Sequence, residues 1–254
     1  VEDVISFVRV DRVHEMGYTG RGVRVGVVDT GVYPNNPLIG NIETLDSAIG
    51  DDGVDEFGHG TAVTHMVHRC APDARIVSIK VFDNSGVTTL RYVLEGVEKA
   101  VLDHGVKLVN MSLGSAIHMP VLHRVLESAK RKYGVVFVAA SGNSGYGFVC
   151  CPGDGTEVLS VGACAVRSPR PGSVAMFTSR GLAITGVIKP DITAPGGSES
   201  EKIELAWLDR TRPVRGTSFA TPVVTGIVAC LMQAYPNQPP DFYIQRIKNS
   251  GWYP

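Results

Sequence analysis

A carboxylate, an imidazole and a hydroxyl stand in the chain in the order Asp29, His59, Ser218. Each lies in a short run rich in glycine or small residues: Val27-Val28-Asp29-Thr30-Gly31, Gly58-His59-Gly60-Thr61 and Gly216-Thr217-Ser218-Phe219-Ala220-Thr221-Pro222. A serine hydroxyl is a weak nucleophile until an imidazole takes its proton, and the imidazole needs a carboxylate to fix its tautomer and stabilise its cation. The three types together can carry acyl transfer through a serine ester, with Ser218 as nucleophile, His59 as general acid and base, and Asp29 orienting His59. A fourth run, Ala139-Ala140-Ser141-Gly142-Asn143, ends in an amide able to donate to the oxyanion of a tetrahedral intermediate beside the backbone N–H of Ser218. Taken singly, Asp29 and Asn143 read as turn residues, His59 as a structural histidine and Ser218 as a helix cap. Their conjunction points to a catalytic triad.

Three such groups converge only if separate elements deliver them. Val23–Asp29 is a short β-branched run closed by Thr30-Gly31, which predicts a buried strand with the acid at its carboxyl end. Similar runs stand at Ile76–Val81, Leu108–Met111, Val135–Ala139 and Val158–Val161. Helical patterns separate several of them: Thr88–Leu102, with Thr89 as cap and Leu90, Val93, Leu94 and Val97 on one face, and Met119–Tyr133. His59 and Ser218 each follow a glycine and open an apolar helical stretch, and Pro222 reads as part of the first turn of its helix. Strands alternating with helices predict an α/β fold of three layers, a mostly parallel sheet flanked by helices on both faces. Its crevice lies beyond the carboxyl ends of the strands.

Composition narrows the partners. The chain has 254 residues with 44% hydrophobic content, enough for a sizeable core, and the absence of any linker or repeat predicts a single domain over residues 1–254. Lys and Arg total 24 against 25 Asp and Glu, so no field selects nucleic acid, and the runs Glu199–Glu204 and Lys130–Lys132 read as solvated faces. No run approaches the roughly 20 apolar residues of a bilayer span, so no membrane partner is expected. There is no signal-peptide pattern, and with Val1 in place of an initiator Met that says nothing about export. The odd count of five cysteines argues against a disulfide framework; the adjacent Cys150 and Cys151 cannot close an ordinary bridge, and most of the five read as small core residues. His14, His65, His68, His104, His118 and His123 read as surface or packing residues, and no Cys/His or HExxH spacing marks a metal site. Gly20-Arg21-Gly22 precedes its strand, which excludes a dinucleotide loop, and the sequon Asn110-Met111-Ser112 ends a buried strand.

The ordered motifs resemble those of the subtilisin-like serine proteases from about Gly20 to Leu231. The matching segments are Gly20-Arg21-Gly22-Val23 with Asp29-Thr30-Gly31, Gly58–Thr61, Asn110-Met111-Ser112-Leu113-Gly114, Ala139–Asn143, Lys189-Pro190-Asp191 with Ala194-Pro195-Gly196, and Gly216–Pro222. The order Asp, His, Ser is that of the subtilisin triad. The resemblance implies an endopeptidase of polypeptide substrates, with a propeptide or inhibitor as a further partner. It also implies that Ser112, Leu113 and Gly114 line the cleft and pair with the peptide backbone, and that Ala139, Ala140 and Ser141 wall the pocket for the residue before the scissile bond. If Pro152-Gly153 aligns with the Pro-Gly after the pocket floor, Cys150 occupies a place commonly held by glycine and shortens that pocket; loop differences that move it elsewhere are the alternative. Ala62, Thr64, His65 and Val223 depart from the family pattern and suggest a distant branch. The short stretch from His68 to Arg75 lacks the loop behind a strong family calcium site, so no cofactor is required, while calcium among Asp46, Asp51, Asp52 and Asp55 stays open. Two other uses of the fold stay open: a transpeptidase or macrocyclase using the same acyl-enzyme, and a non-catalytic scaffold. The resemblance slightly favours a secreted or extracellular protein; the residues themselves fix no compartment.

Overall fold

The computed structural model describes residues 1–251. Two short helices, α1 (Glu2–Phe7) and α2 (Val10–Glu15), precede β1 (Arg24–Asp29) and β2 (Ile42–Ser47). Then come α3 (His59–Cys70), β3 (Arg75–Lys80), α4 (Leu90–Glu98) with a π-helical turn over Lys99–Asp103, β4 (Leu108–Met111), α5 (Pro120–Tyr133), β5 (Val136–Ala140) and β6 (Val158–Cys164). A two-residue ladder, β7 (Gly181–Leu182) with β8 (Ile188–Lys189), leads to β9 (Ile192–Pro195). The hairpin β10 (Ile203–Trp207) and β11 (Arg210–Val214) and the helices α6 (Thr217–Ala234) and α7 (Pro240–Asn249) follow.

Seven strands form one sheet in the order β2-β3-β1-β4-β5-β6-β9, every pairing parallel. The central strands are apolar at successive positions because both of their faces are covered. Val25 and Val27 of β1, with Val136 and Val138 of β5, face a core shared with α3, α6 and α7. Val28, Phe137 and Ala139 point the other way, into a core built with α4 and α5. Helices therefore lie on both faces, as the strand–helix alternation predicts. From β1 the chain builds to one side through β3 and β2, then crosses back to β4, β5, β6 and β9 on the other. That reversal opens a crevice at the carboxyl ends of β1 and β4, where Asp29 and Ser112 stand.

α6 is the axis of the first core. It is long and apolar enough to match a membrane span by length and composition, but 72% of it is buried inside the protein, so its hydropathy is that of a core helix. Thr89 caps α4 as its type predicts, accepting from the N–H of Tyr92 through Oγ1. The reading of Pro222 is corrected: α6 begins at Thr217, so Pro222 is an interior residue. All five cysteines are free thiols, four of them buried. The run Glu199–Glu204 is not merely solvated either, since Glu201 Oε2 accepts from the backbone N–H of Val166 and Glu199 Oε1 from that of Phe177.

Candidate active site

Asp29 is the last residue of β1 and only 1% exposed. Its Oδ1 accepts from the N–H of Thr30 at 2.8 Å and from His59 Nδ1 at 2.7 Å. The second bond commits the Nδ1 proton to Asp29 and leaves Nε2 as the lone-pair nitrogen, the tautomer a general base needs. Burial lowers the pKa of His59, but the charge of Asp29, its hydrogen bond and the charge of Asp55 outweigh burial and raise it above the ordinary imidazole value.

The turn that delivers His59 is organised by Asp55, whose role was not legible as such. This buried carboxylate accepts from the N–H groups of Phe57 and Gly58 and from Thr30 Oγ1 through Oδ1, and from the N–H and hydroxyl of Thr61 through Oδ2, all at 2.6–2.9 Å. It thereby satisfies donors at the start of α3, which no capping side chain supplies. Gly58 opens the helix at φ +104°, and a side chain there would run into the indole of Trp207, which packs over this turn from the β10–β11 hairpin. The same hairpin anchors α3 further along, where the N–H of Ala206 donates to Nδ1 of buried His65 at 3.0 Å. Burial foremost lowers the pKa of His65 to about 4, so it stays a neutral acceptor.

Ser218 is the second residue of α6, half-buried, and its neighbour Phe219 packs a ring against His59 with centroids 5.4 Å apart. Pro222 explains how this helix start is tied down. An ordinary residue there would donate its N–H to the carbonyl of Ser218, four residues back; proline cannot. Ser112 Oγ donates to that carbonyl instead, at 2.7 Å, and itself accepts from Asn110 Nδ2 at 2.9 Å. Thr225 Oγ1 closes the network on Asn110 Oδ1 at 2.8 Å. Asn110 and Thr225 thus hold the helix that carries Ser218 against β4; a buried polar pair separated by 115 positions leaves no local signal.

Asn143 follows β5 and is exposed, yet its amide is oriented. Its Oδ1 accepts from the N–H of Thr217 at 2.9 Å and from Thr217 Oγ1 at 3.1 Å, which assigns the oxygen and leaves Nδ2 free beside the N-terminus of α6. The structure therefore brings Asp29, His59, Ser218 and Asn143 to one end of the sheet.

The expected substrate-binding residues divide. Leu113 and Gly114 line a cavity of about 230 Å³ together with Phe82, Leu90, Met119 and Cys151. The Ser112 hydroxyl is committed to α6, so only its backbone is available to a peptide. Ala139 and Ser141 are fully buried and Ala140 nearly so, which makes their contribution to a pocket wall one of backbone. Cys150 lies between the two segments. Its N–H donates to the carbonyl of Ser141 at 2.8 Å, its Cβ is 3.1 Å from where a side chain on Gly114 would begin, and its Sγ fills the space that a side chain on Gly142 would need.

The acids left open for calcium go to separate partners. Asp46 binds His104 and Lys99, Asp51 pairs with buried Lys80, Asp52 caps the N–H of Val54, and Asp55 serves the His59 turn. Of the remaining histidines, His118 and His123 are both bound to the buried carboxylate of Asp154.

The sequence pattern of the Subtilase family (Peptidase S8) matches residues 20–250. Serine protease AprX of Bacillus subtilis (strain 168) is 32% identical over 272 aligned positions, covering 91% of this chain and 61% of AprX, so the chain spans less than two thirds of that relative's length. Among solved structures, Sphericase superposes with a TM-score of 0.80 at 27% identity, covering 91% of this chain and 83% of its own. A cold adapted subtilisin-like serine proteinase gives a TM-score of 0.75 at 27% identity, over 91% and 82% of the two chains. With a match over nearly the whole chain and the subtilisin-like sheet beneath it, the chain belongs to the subtilase family.

Proposed function

We propose that this chain is a serine endopeptidase that cleaves polypeptides through an acyl-enzyme on Ser218. His59 Nε2 takes the hydroxyl proton as Ser218 Oγ attacks the scissile carbonyl, and returns it to the leaving amine. Asp29 holds the imidazole and stabilises its cation, and Asn143 Nδ2 with the backbone N–H of Ser218 receives the oxyanion. Water then attacks the ester with His59 again as base, releasing the carboxylate product and restoring Ser218. The observation that carries this reading is the 2.7 Å bond from His59 Nδ1 to buried Asp29, with the imidazole packed against Phe219, the residue after Ser218.

The substrate would lie along residues 112–114, its apolar side chains entering the cavity beside Leu113, with Cys150 closing the pocket before the scissile bond. A labelled fluorophosphonate tests the reading, because only an activated serine reacts. Stoichiometric labelling of the Ser218 peptide, lost in His59→Ala, is expected; an intact chain that takes no label at neutral pH refutes it.

A further inference from the structure

The loop that carries Cys150 closes a second cluster of ligating groups, separate from Asp29, His59 and Ser218. His118 Nδ1 lies 2.6 Å from Asp154 Oδ2, and His123 Nε2 lies 3.1 Å from Asp154 Oδ1 and 3.4 Å from Cys151 Sγ. The ligating atoms of His118, His123 and Asp154 all fall within 4.8 Å of one another. Asp154 is 1% exposed, and its Oδ1 has no hydrogen-bond partner despite the imidazole nitrogen beside it. The two atoms sit close without N–H···O alignment, as two ligands of a common ion do.

The surroundings are those of a metal ligand set. The other nitrogen of His123, Nδ1, donates to Glu157 Oε1 at 2.6 Å, and Glu157 is itself buried. A carboxylate in that position fixes the tautomer that leaves Nε2 free to ligate. Gly155 makes the room, since a Cβ there would come within 2.6 Å of His123 Nδ1.

Charge points the same way. Asp154 and Glu157 are buried carboxylates facing two imidazoles and a thiol, while nearby Lys189 is committed to Asp191 at 2.6 Å and the carbonyl of Val158 at 3.1 Å. His118 and His123 stack with centroids 4.7 Å apart and 23° between planes, which sets the two rings together beside Asp154. One divalent ion held between their nitrogens would offset the charge of these buried carboxylates.

We propose that His118, His123 and Asp154, with Cys151 as fourth donor, form a binding site for a divalent transition metal of the zinc class. Nitrogen, carboxylate and thiolate donors in a set of four suit zinc, whereas calcium takes roughly six to eight oxygens. Zinc bonds of about 2.0–2.3 Å set tetrahedral ligands roughly 3.3–3.7 Å apart, so the imidazole–carboxylate pairs at 2.6 and 3.1 Å must open slightly, while Cys151 Sγ, 3.4 Å from His123 Nε2, must swing toward the other two donors. Uptake releases the thiol proton and the protons shared by the imidazole–carboxylate pairs to solvent. Cys151 is paired through its backbone with Ser115, at 2.8 and 3.0 Å, just beyond the cleft segment 112–114. The ion therefore ties the segment leading into α5 to the loop that closes the cleft.

The test uses the native chain, stripped with a chelator and titrated with Co2+ and, separately, Zn2+. One Co2+ per chain is expected, with the intense visible bands of a four-coordinate site and a near-ultraviolet thiolate band. Cys151→Ser removes the thiolate band, and His118→Ala with Asp154→Asn abolishes uptake. Glu157→Gln, which touches no metal, weakens affinity by about 10–100-fold. Absence of uptake at micromolar Co2+, weak six-coordinate bands, or uptake unchanged by His118→Ala and Asp154→Asn overturns the proposal. Should those variants fail to fold, the native spectrum decides alone, through its stoichiometry and its thiolate band.

Discussion

The exchange of partners around Pro222 gives a prediction that can be worked through. Ser112→Ala removes the donor to the Ser218 carbonyl and the acceptor of Asn110 Nδ2 at once. Each buried polar group left unpaired costs about 1–3 kcal/mol, so a loss of about 2–6 kcal/mol is expected. For a chain of this size that lowers Tm by roughly 4–24 °C, at about 2–4 °C per kcal/mol. Pro222→Ala restores the missing N–H in line with the same carbonyl and should be near neutral alone, because the bond from Ser112 is already made. In the double variant that N–H replaces the lost hydroxyl and should recover about 1–2 kcal/mol. Urea unfolding of the four chains, all in a Ser218→Ala background that prevents self-digestion and keeps the carbonyl, measures the coupling. Additivity within about 0.3–0.5 kcal/mol would refute the partner exchange.

Three further outcomes follow from the site. Because His59 must be neutral to accept the serine proton and its pKa is raised, kcat/KM should fall as pH drops through a midpoint above about 6.5; a rate flat to pH 5 would exclude His59 as base. His65 is buried neutral with its pKa lowered to about 4, so its stabilisation is full above pH 6.5 and lost as pH falls toward 4, by about 3 kcal/mol at 1.36 kcal/mol per unit. Unfolding free energies of native and His65→Gln chains from pH 7 to 4 should therefore converge, and parallel curves would contradict it. Cys150→Gly should shift cleavage toward larger residues before the scissile bond, by about four-fold per added methylene at 0.8 kcal/mol each; an unchanged preference on a peptide series would remove Cys150 from the pocket.

Much of the frame was legible because its signals are local. The β-branched runs ending at Asp29 and Met111 mark buried strands, and Thr89 caps its helix as its type demands. The four groups proposed for catalysis sit in short motifs whose types announce their chemistry. β2 is half-exposed along Ile42–Ser47, and β11 reads Arg-Thr-Arg-Pro-Val, so neither presents an apolar run to find. Pro222 reads as a first-turn residue because the sequence does not mark the helix start at Thr217, and the hydroxyl that compensates for it comes from Ser112, 106 positions away. His118, His123 and Asp154 meet only because α5 and the loop after β5 pack together, and their spacing matches no local pattern. Asp55 is one acid among several in the sequence, and the five donors that set it apart come together only in the fold.

The central claim is that Ser218 and His59 act as one unit in peptide hydrolysis, and kcat for Ser218→Ala, His59→Ala and the double variant tests it most directly. In a subtilisin each such loss costs on the order of 10⁶ in kcat, and removing both costs little more, a magnitude carried over from that enzyme. The same pattern is expected here, with Asp29 bound to His59 and the fold retained by circular dichroism. Multiplicative losses in the double variant, or turnover by Ser218→Ala close to that of the native chain, would contradict the mechanism.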